Sequence, residues 1–536
     1  MYMLSQASSL LYSHVAYRME GFTNRLRNLP TPTSLTWPLL FGIFIASYIV
    51  RKAIVSVRLW QFRGPPLTGL TNLPHSRAIL RGECHKWYAL ANEKYGPIAR
   101  VAPNILVTSS PQVWAHVNNS PGYKRSDWYY HACRIEHRKD NVFSQTDNAK
   151  HEFRRKQMAP GYSGRENPGL EASIDEFLAQ LISLISSKYL SSDDGIVPVD
   201  LARKIQFFTL DVISKIGLGT PFGMLRSDSD IDDYLKSSEE GLAVGNSALA
   251  LGLSWLAHSP FIGRFIAPFP KDNTGFGKMM ATCFRLVDDR AAKATEKHSD
   301  MLASFARHGL SGAELRTEAL EQIIAGSDTT ATGIRFTLLH IMTNPRVHSK
   351  LQVEIDGAVR AGRAPASGSG IISANQAKQL PYLQAVIREA LRVTPPVANI
   401  FSRDVPPNGD EVKVNGETIV LPGGVCIGYS AYAMHHSKGI YGNDVDAFRP
   451  ERWFEPDADK LKLMLSTNEL VFGHGKFQCL GKTVAQMELG KVIFELFRHF
   501  DLATLCPTSP LKSRNCLGLF QITDMWVQAT RRPLYS

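Results

Sequence analysis

Near the carboxyl end the sequence reads LVFGHGKFQCLGKTVAQMELG, Leu470 to Gly490, with one cysteine, Cys479, set among Gly473, Gly475 and Gly481 just ahead of a helical pattern. A thiolate in such a place could be a nucleophile, a redox thiol, a zinc ligand or a haem-iron ligand. A nucleophile wants a base, and no cysteine-protease-like signature lies nearby. Zinc wants further ligands at short spacing, and none are present. An axial thiolate remains. Glycines let a tight loop pass close against a flat macrocycle. Loop N–H groups, and the positive end of a helix starting near Gly481, would stabilise charge on the sulfur.

Two further groups of residues have spacings that could do chemistry or support it. The longest helical pattern opens at a capping box, Ser311-x-x-Glu314, and can run to Asn344, ahead of Pro345. That is roughly 50 Å of helix, enough to cross a domain. Its middle, AGSDTTAT (Ala325 to Thr332), collects a glycine and several hydroxyls where a buried helix would not choose them. Either the helix kinks and its hydroxyls are satisfied, or the backbone opens so that water and a small ligand lie beside Asp328 and Thr329. In REALRVTPPV, Glu389 and Arg392 share a helical face as an ion pair among apolar neighbours. A partly buried pair needs another partner, and FRPERW offers Arg452. His435-His436 invites a metal reading, but on the strand expected there adjacent side chains point to opposite faces, so the pair reads as structural.

Phe472-Gly473-x-Gly475-x-x-x-Cys479-x-Gly481, Ala325-Gly326-x-Asp328-Thr329-Thr330, and Glu389-x-x-Arg392 with Arg452 stand in the order and spacing of the cytochrome P-450 superfamily, which the chain resembles from about Arg63 to its carboxyl terminus. IIAGSDTTAT, FGHGKFQCLGKTVAQMELGKV and DMWV resemble fungal secondary-metabolite members near the pisatin-demethylase branch. The resemblance implies a mostly α fold with minor β, a helical body around a b-type haem and a small sheet lobe. It implies Cys479 as the iron's axial ligand, whose electron donation favours O–O cleavage. Thr329 would hydrogen-bond the oxygen being activated, and Asp328 would relay protons through water. Glu389, Arg392 and Arg452 would be an architectural triad. His151 and Arg155 match the family's propionate-binding pair, and Arg403 in FSRDVPP matches a further propionate arginine. Many relatives carry Arg or His two residues before the cysteine, where this chain has Phe477; Lys476 is a candidate substitute. The implied activity is an NADPH- and O2-dependent monooxygenase acting on a lipophilic small molecule. Electrons would arrive from NADPH through the FMN/FAD of NADPH-cytochrome P-450 reductase, with cytochrome b5 as a second donor. The reductase would dock near Arg154, Lys156, Lys476 and Lys482. Alternatives of other classes are a haem-thiolate isomerase or dehydratase that does not use O2, and a non-catalytic haem-binding protein. The intact Asp328-Thr329 pair speaks for the monooxygenase.

The elements that must position these residues follow from pattern. The 536 residues carry 44% hydrophobic and 20% charged side chains, an ordinary globular balance. The net charge of +11 comes without a dense Lys/Arg run or an aromatic-interleaved basic patch, which argues against a nucleic-acid partner and suits a membrane surface or an acidic protein. Seven cysteines without a CxxC pair suit a reducing compartment. IARVAPNILVTSSPQVWAHV predicts two short strands around Pro103-Asn104, then a helix capped by Ser110 with Pro111 first. Residues 170–361 read as helical, apart from loops and short helices over 218–277. A small sheet is expected in 412–434 and a last strand pair in 517–531. Recognition of the substrate would fall to 118–148, 218–277, 396–400 and the neighbourhood of Phe520, segments rich in bulky apolar side chains.

At the amino end, Asn28 to Val50 is uncharged and stops at Arg51-Lys52. The expected organisation is a luminal or interfacial segment at 1–34, a transmembrane anchor at 35–57, a Pro/Gly spacer at 58–69 and a haem-thiolate catalytic domain at 70–536. That implies the endoplasmic reticulum membrane, a single pass, and a catalytic body facing the cytosol.

Overall fold

The computed structural model describes residues 36–292, 298–366 and 369–532; the expected 1–34 segment lies outside them. The chain divides into two compact units. One is built from the chain up to Asn148 with Ser238–Lys278 and Asn399–Ser430. The other is built from Ala149–Ser237, Met279–Ala398 and Ala431–Ser536. Each interleaves distant stretches of sequence, so neither is bounded by anything that reads as a linker.

In the first unit, Ile98–Ala102 and Ile105–Thr108 pair antiparallel around Pro103-Asn104. Cys426–Tyr429 runs parallel to the second of these strands, and Arg403–Asp404 and then Lys124–Arg125 complete a five-stranded sheet. The following helix, Pro111–Asn119, starts as expected: the Ser110 hydroxyl accepts from the Val113 N–H at 3.3 Å. A separate hairpin, Asp410–Val414 with Glu417–Leu421, turns through Asn415-Gly416, both at positive φ, the signature of a tight two-residue turn.

The amino-terminal helix forms over Thr36–Arg58, one residue from the expected anchor, and leaves Leu39, Phe41, Phe44 and Val57 exposed. No helix among the described residues is long and apolar enough to cross a membrane. The apolar run here is cut by Arg51-Lys52 and diluted by hydroxyl residues. The expected spacer packs into the unit: Leu59 and Phe62 are buried, and the Arg63 carbonyl accepts from the Arg100 N–H at 2.8 Å. Gly64 has no room for a side chain, since a Cβ there would lie 1.8 Å from the Arg100 carbonyl oxygen.

The second unit is predominantly helical. Its centre is the helix Gly312–Met342, flanked by Leu201–Leu218, Pro381–Val393 and Lys482–His499. Residues 330–338 of the central helix are buried on every face, as are nearly all of Leu201–Leu218, the mark of helices that form a core rather than coat one. Phe500–Thr504 pairs with Trp526–Arg531, which also takes Leu190–Ser191 in parallel and Pro198–Asp200 antiparallel.

Several expectations are corrected. The 218–277 region holds a seventeen-residue helix, Tyr234–Ala250, rather than loops and short helices alone. The last strands do not pair with each other: Leu519–Thr523 pairs with Lys512–Cys516, and Trp526–Arg531 returns to Phe500–Thr504. His435 closes a short helix, Ala431–His435, because the strand ends at Tyr429; Tyr432 and His436 then stack at i,i+4 with ring centroids 4.0 Å apart. His435 stays structural: it is fully buried, and burial pushes its imidazole down to about 3. Ser311 sits at the N-cap without a side-chain cap, so the expected capping box does not form, and the Glu314 carboxylate pairs with Arg154 at 3.0 Å.

Candidate active site

Cys479 is reached through two single-turn helices, Leu470–Phe472 and Gly475–Phe477, and is fixed by its own N–H donating to the Phe472 carbonyl at 2.7 Å. Gly473 and Gly475 take positive φ, and a Cβ on Gly473 would come within 2.9 Å of the Phe477 carbonyl oxygen. Side chains there would force the loop apart. Gly481 then caps Lys482–His499, and the N–H groups of Gly481 and Lys482 point at the Cys479 sulfur. The residue counts as exposed, yet protein crowds its thiol. Burial raises the thiol above its ordinary range, while the two N–H groups, Arg155 and Lys482 pull it back down.

Arg155 belongs to the helix Asn148–Tyr162, where His151, Arg155 and Tyr162 fall on one face. Burial lowers Arg155, and the charges of Cys479 and Tyr162 oppose that, so the guanidinium lies beside the sulfur. Tyr162, raised first by burial and then by Cys479, Glu318 and Glu321, joins this helix to the cysteine loop and the central helix. His151 is buried with its ring 5.2 Å from that of Phe477, and Lys476 lies 5.1 Å over the other partner of that stack. Phe477 is thus an aromatic lid on His151.

The central helix runs unbroken over Gly312–Met342, so of the two readings the sequence leaves open, the opened backbone does not form. Gly326 answers a packing need instead: a Cβ there would lie 2.7 Å from Ile213 on Leu201–Leu218. The two helices lie antiparallel. The Ala202 carbonyl accepts from Arg335 Nε at 2.9 Å, Gln206 meets Asp328, and Gly217 faces Gln322. Thr329 Oγ1 donates to the Ala325 carbonyl at 2.7 Å, and Ala325 is exposed in the middle of this largely buried element. The helix therefore presents Ala325 and the Thr329 hydroxyl to open space without breaking. Gln206 Nε2 donates to Asp328 Oδ1 at 2.7 Å, a contact no local pattern signals.

Glu389, Arg392 and Arg452 come together with no exposed surface on the carboxylate. Arg392 donates to Glu389 through Nε at 2.9 Å and Nη2 at 2.8 Å, and Arg452 Nε adds a bond of 2.8 Å. Trp453 Nε1 and the Arg449 N–H complete the carboxylate at 3.1 and 3.0 Å. The arginines also bind the carbonyls of His435, Tyr441 and Ala447. Arg154 is not a surface cation: it pairs with Glu314 and, at 2.8 Å, with the fully buried Glu318. Lys482 pairs with Glu469 and Lys156 with Glu152.

In the first unit, Arg403 is buried, donating to the Tyr129 hydroxyl at 2.6 Å and the Phe401 carbonyl at 2.7 Å. Its partner across the ladder is Arg125, also buried and stacked 4.8 Å from the same tyrosine ring. Like charges side by side on one ladder are unfavourable unless something anionic answers them. Sequence reading missed Arg125, whose only signal was a charge in YKRSDW ahead of an aromatic run.

The family model Cytochrome P450 matches residues 63–523. The chain belongs to the cytochrome P-450 family and is a monooxygenase of it. Similar proteins include Cytochrome P450 monooxygenase ABA1 of Pyricularia oryzae, 39% identical over 501 residues, which cover 91% of this chain and 95% of that one. Cytochrome P450 monooxygenase aba1 of Botryotinia fuckeliana is 37% identical over 445 residues, with 82% and 85% covered. Cytochrome P450 monooxygenase abl1 of Leptosphaeria maculans is 31% identical over 516 residues, with 93% and 88% covered. The family works with a b-type haem iron, a redox partner and lipophilic substrates. The loop fits that cofactor, because it offers a soft sulfur ligand supported by two N–H groups and a cation, on glycines that allow close approach.

Proposed function

We propose that the protein uses NADPH and O2 to insert one oxygen atom into a lipophilic secondary-metabolite intermediate of polyketide, terpenoid or alkaloid type. The observation that carries the proposal is the Cys479 sulfur held by the Gly481 and Lys482 N–H groups with Arg155 beside it. Bound haem supplies the activation of dioxygen. Cys479 holds the iron, and its N–H donors stabilise the thiolate that burial disfavours. Thr329 directs a hydroxyl from the exposed turn at Ala325, and by rotating about χ1 it exchanges its bond to the Ala325 carbonyl for one to an oxygen outside the helix. Asp328, adjacent in sequence, gains and gives protons through water for that hydroxyl. His151 and Arg155 are proposed as donors to the anionic side groups of the haem, as is Arg403 in the first unit. The Glu389 network holds architecture and touches no substrate.

Electrons are proposed to come from NADPH-cytochrome P-450 reductase through its FMN and FAD, with cytochrome b5 as a second donor; Lys156, Lys476 and Lys482 supply positive charge for such acidic partners. The exposed apolar side chains of Thr36–Arg58 support attachment to the endoplasmic reticulum membrane with the catalytic body in the cytosol. The test is reconstitution of the full chain with haem, reductase and NADPH under isotopically labelled dioxygen, offering a panel of polyketides, terpenoids and alkaloids. A product carrying one labelled oxygen, made only with NADPH present, is expected. Turnover that proceeds without NADPH, or product without label, overturns the proposal.

A further inference from the structure

We infer that Tyr162 is a positioning residue for the Cys479 sulfur: its ring props the Gly481 turn, so that the Gly481 and Lys482 N–H groups stay aimed at the thiolate. The inference rests on the reading of Cys479 as a haem-iron ligand and adds the residue that keeps that ligand's donors in place.

The need for a prop comes from the turn itself. Gly481 opens the helix Lys482–His499 without a side-chain cap, and its backbone, at φ −84° and ψ 7°, holds one of many conformations open to a glycine. Lys482, the next residue, is restrained by its ion pair with Glu469. Tyr162 supplies a second restraint. A Cβ at Gly481 would lie 3.9 Å from the Cys479 sulfur and 3.9 Å from Tyr162 Cε1, so sulfur and ring edge face the same point above the glycine. The ring closes the space into which a side chain at this position would project.

The ring is itself held. Tyr162 ends the helix Asn148–Tyr162, and the preceding Gly161 is pressed onto the helix Met301–Arg307, where a Cβ would come within 3.1 Å of Phe305 Cε1 and 3.2 Å of Ser304 Cβ. Phe305 has no exposed surface, and its ring centroid lies 6.0 Å from that of Tyr162. Farther back along the same helix Arg154 pairs with the buried Glu318 of the central helix. The prop therefore stands on a backbone fixed against two other helices.

What the ring contributes is bulk rather than charge. Burial, with Cys479, Glu318 and Glu321 nearby, keeps the phenol protonated. Hydrogen bonds weaken steeply as the donor turns off line, and those to a metal-bound sulfur help set how much electron density it gives. A turn free to rotate would leave the thiolate with poorer donors. The sulfur would then be more electron-rich, which lowers the reduction potential of the iron it holds.

The experiment uses the full haem-replete chain without added substrate. The haem midpoint potential, the absorption band of the reduced carbon monoxide form and the urea midpoint are measured for wild type, Tyr162→Phe, Tyr162→Leu and Tyr162→Ala. Tyr162→Phe keeps the ring and is expected to match wild type in potential and band. Tyr162→Ala is expected to move the band and to lower the reduced-to-oxidised ratio at a fixed potential about tenfold, the scale of one lost bond to a charged group. For a one-electron couple that is about 59 mV. Tyr162→Leu is expected to fall between the two. If Tyr162→Leu and Tyr162→Ala lose stability while potential and band superimpose on wild type, Tyr162 only packs and the inference is wrong. If Tyr162→Phe shifts the potential as far as Tyr162→Ala, the hydroxyl acts and not the ring, which overturns it equally. Should Tyr162→Ala fail to fold, Tyr162→Leu and Tyr162→Phe decide between the same outcomes. A wild-type chain that takes up no haem refutes the reading of Cys479 instead, a result the variants cannot mimic.

Discussion

Glu389 and Asp328 are both carboxylates on core helices of the second unit, and the protein treats them in opposite ways. Glu389 has no exposed surface and is met by two guanidinium groups, an indole N–H and a main-chain N–H. Asp328 is half-buried, and Gln206, a neutral amide, donates to it. Saturating a buried charge with cations locks its ionisation and its position, which suits a joint between helices and the loop carrying Arg452. An amide donor adds no charge of its own beside Asp328, the group proposed above to carry protons. The same contrast separates Arg154, committed to two carboxylates, from Arg155 one residue on, which Cys479 and Tyr162 act on instead.

Replacing residues on either side should separate chemistry from architecture. The largest effect is expected from Cys479→Ser, which removes the soft ligand: the folded protein should lose its haem absorbance and all turnover. A coloured, active variant would remove Cys479 from the site. Next, Glu389→Ala strips Arg392 of its carboxylate and leaves Arg452 only Asp444 at 3.3 Å, and should cost about 3–5 kcal/mol of stability in denaturant unfolding. A cost below about 1 kcal/mol would erase the distinction between the two carboxylates.

Thr329→Ala should act the other way round. Stability should stay within about 1 kcal/mol, while product formed per NADPH falls about tenfold or more. Unchanged coupling would take the hydroxyl out of proton delivery.

Acid should test the buried, neutral groups. Burial holds His75 and His340 down to about 4 and His435 to about 3, against an ordinary 6.5. The unfolded chain binds these protons first, so their contribution is complete above about pH 6.5 and is lost as pH falls toward 4. The urea midpoint should therefore decline steadily across that window. A flat midpoint would mean that these rings are protonated in place.

The smallest effects distinguish two neighbouring cations, one committed to a buried carboxyl group and one exposed. Arg154→Ala should cost about 2 kcal/mol, because it removes the ion pair that Arg154 makes with the buried Glu318. Lys156→Ala should leave stability unchanged and weaken reductase binding only at low salt. If the two behave alike, the division between committed and available cations is wrong.

Much of this protein was legible from local rules. Ser110 and Pro111 start a helix, Asn415-Gly416 turns a hairpin, and glycines around Cys479 permit a tight loop before a helix, because each depends on residues within a few positions of itself. The Glu389-x-x-Arg392 pair was equally readable, since helical spacing alone puts both on one face. What escaped were contacts between residues far apart in sequence. Gln206 resembles any polar residue of a helix until Asp328 packs beside it. Gly326 looks like a helix breaker until Ile213 fills the space. Arg125 becomes notable only when Arg403 is laid across from it on the ladder. His435 was misassigned to a strand because the preceding β pattern gives no sign of where pairing stops.

The sequence by itself offered the candidate thiolate, the Asp328-Thr329 pair and the Glu389–Arg392 pair, since these are matters of residue type and short spacing. Only the tertiary structure decided which carboxylate is met by guanidinium groups and which by an amide. Burial and partner choice are set by helices brought together across a hundred residues or more, and no local pattern encodes that distance.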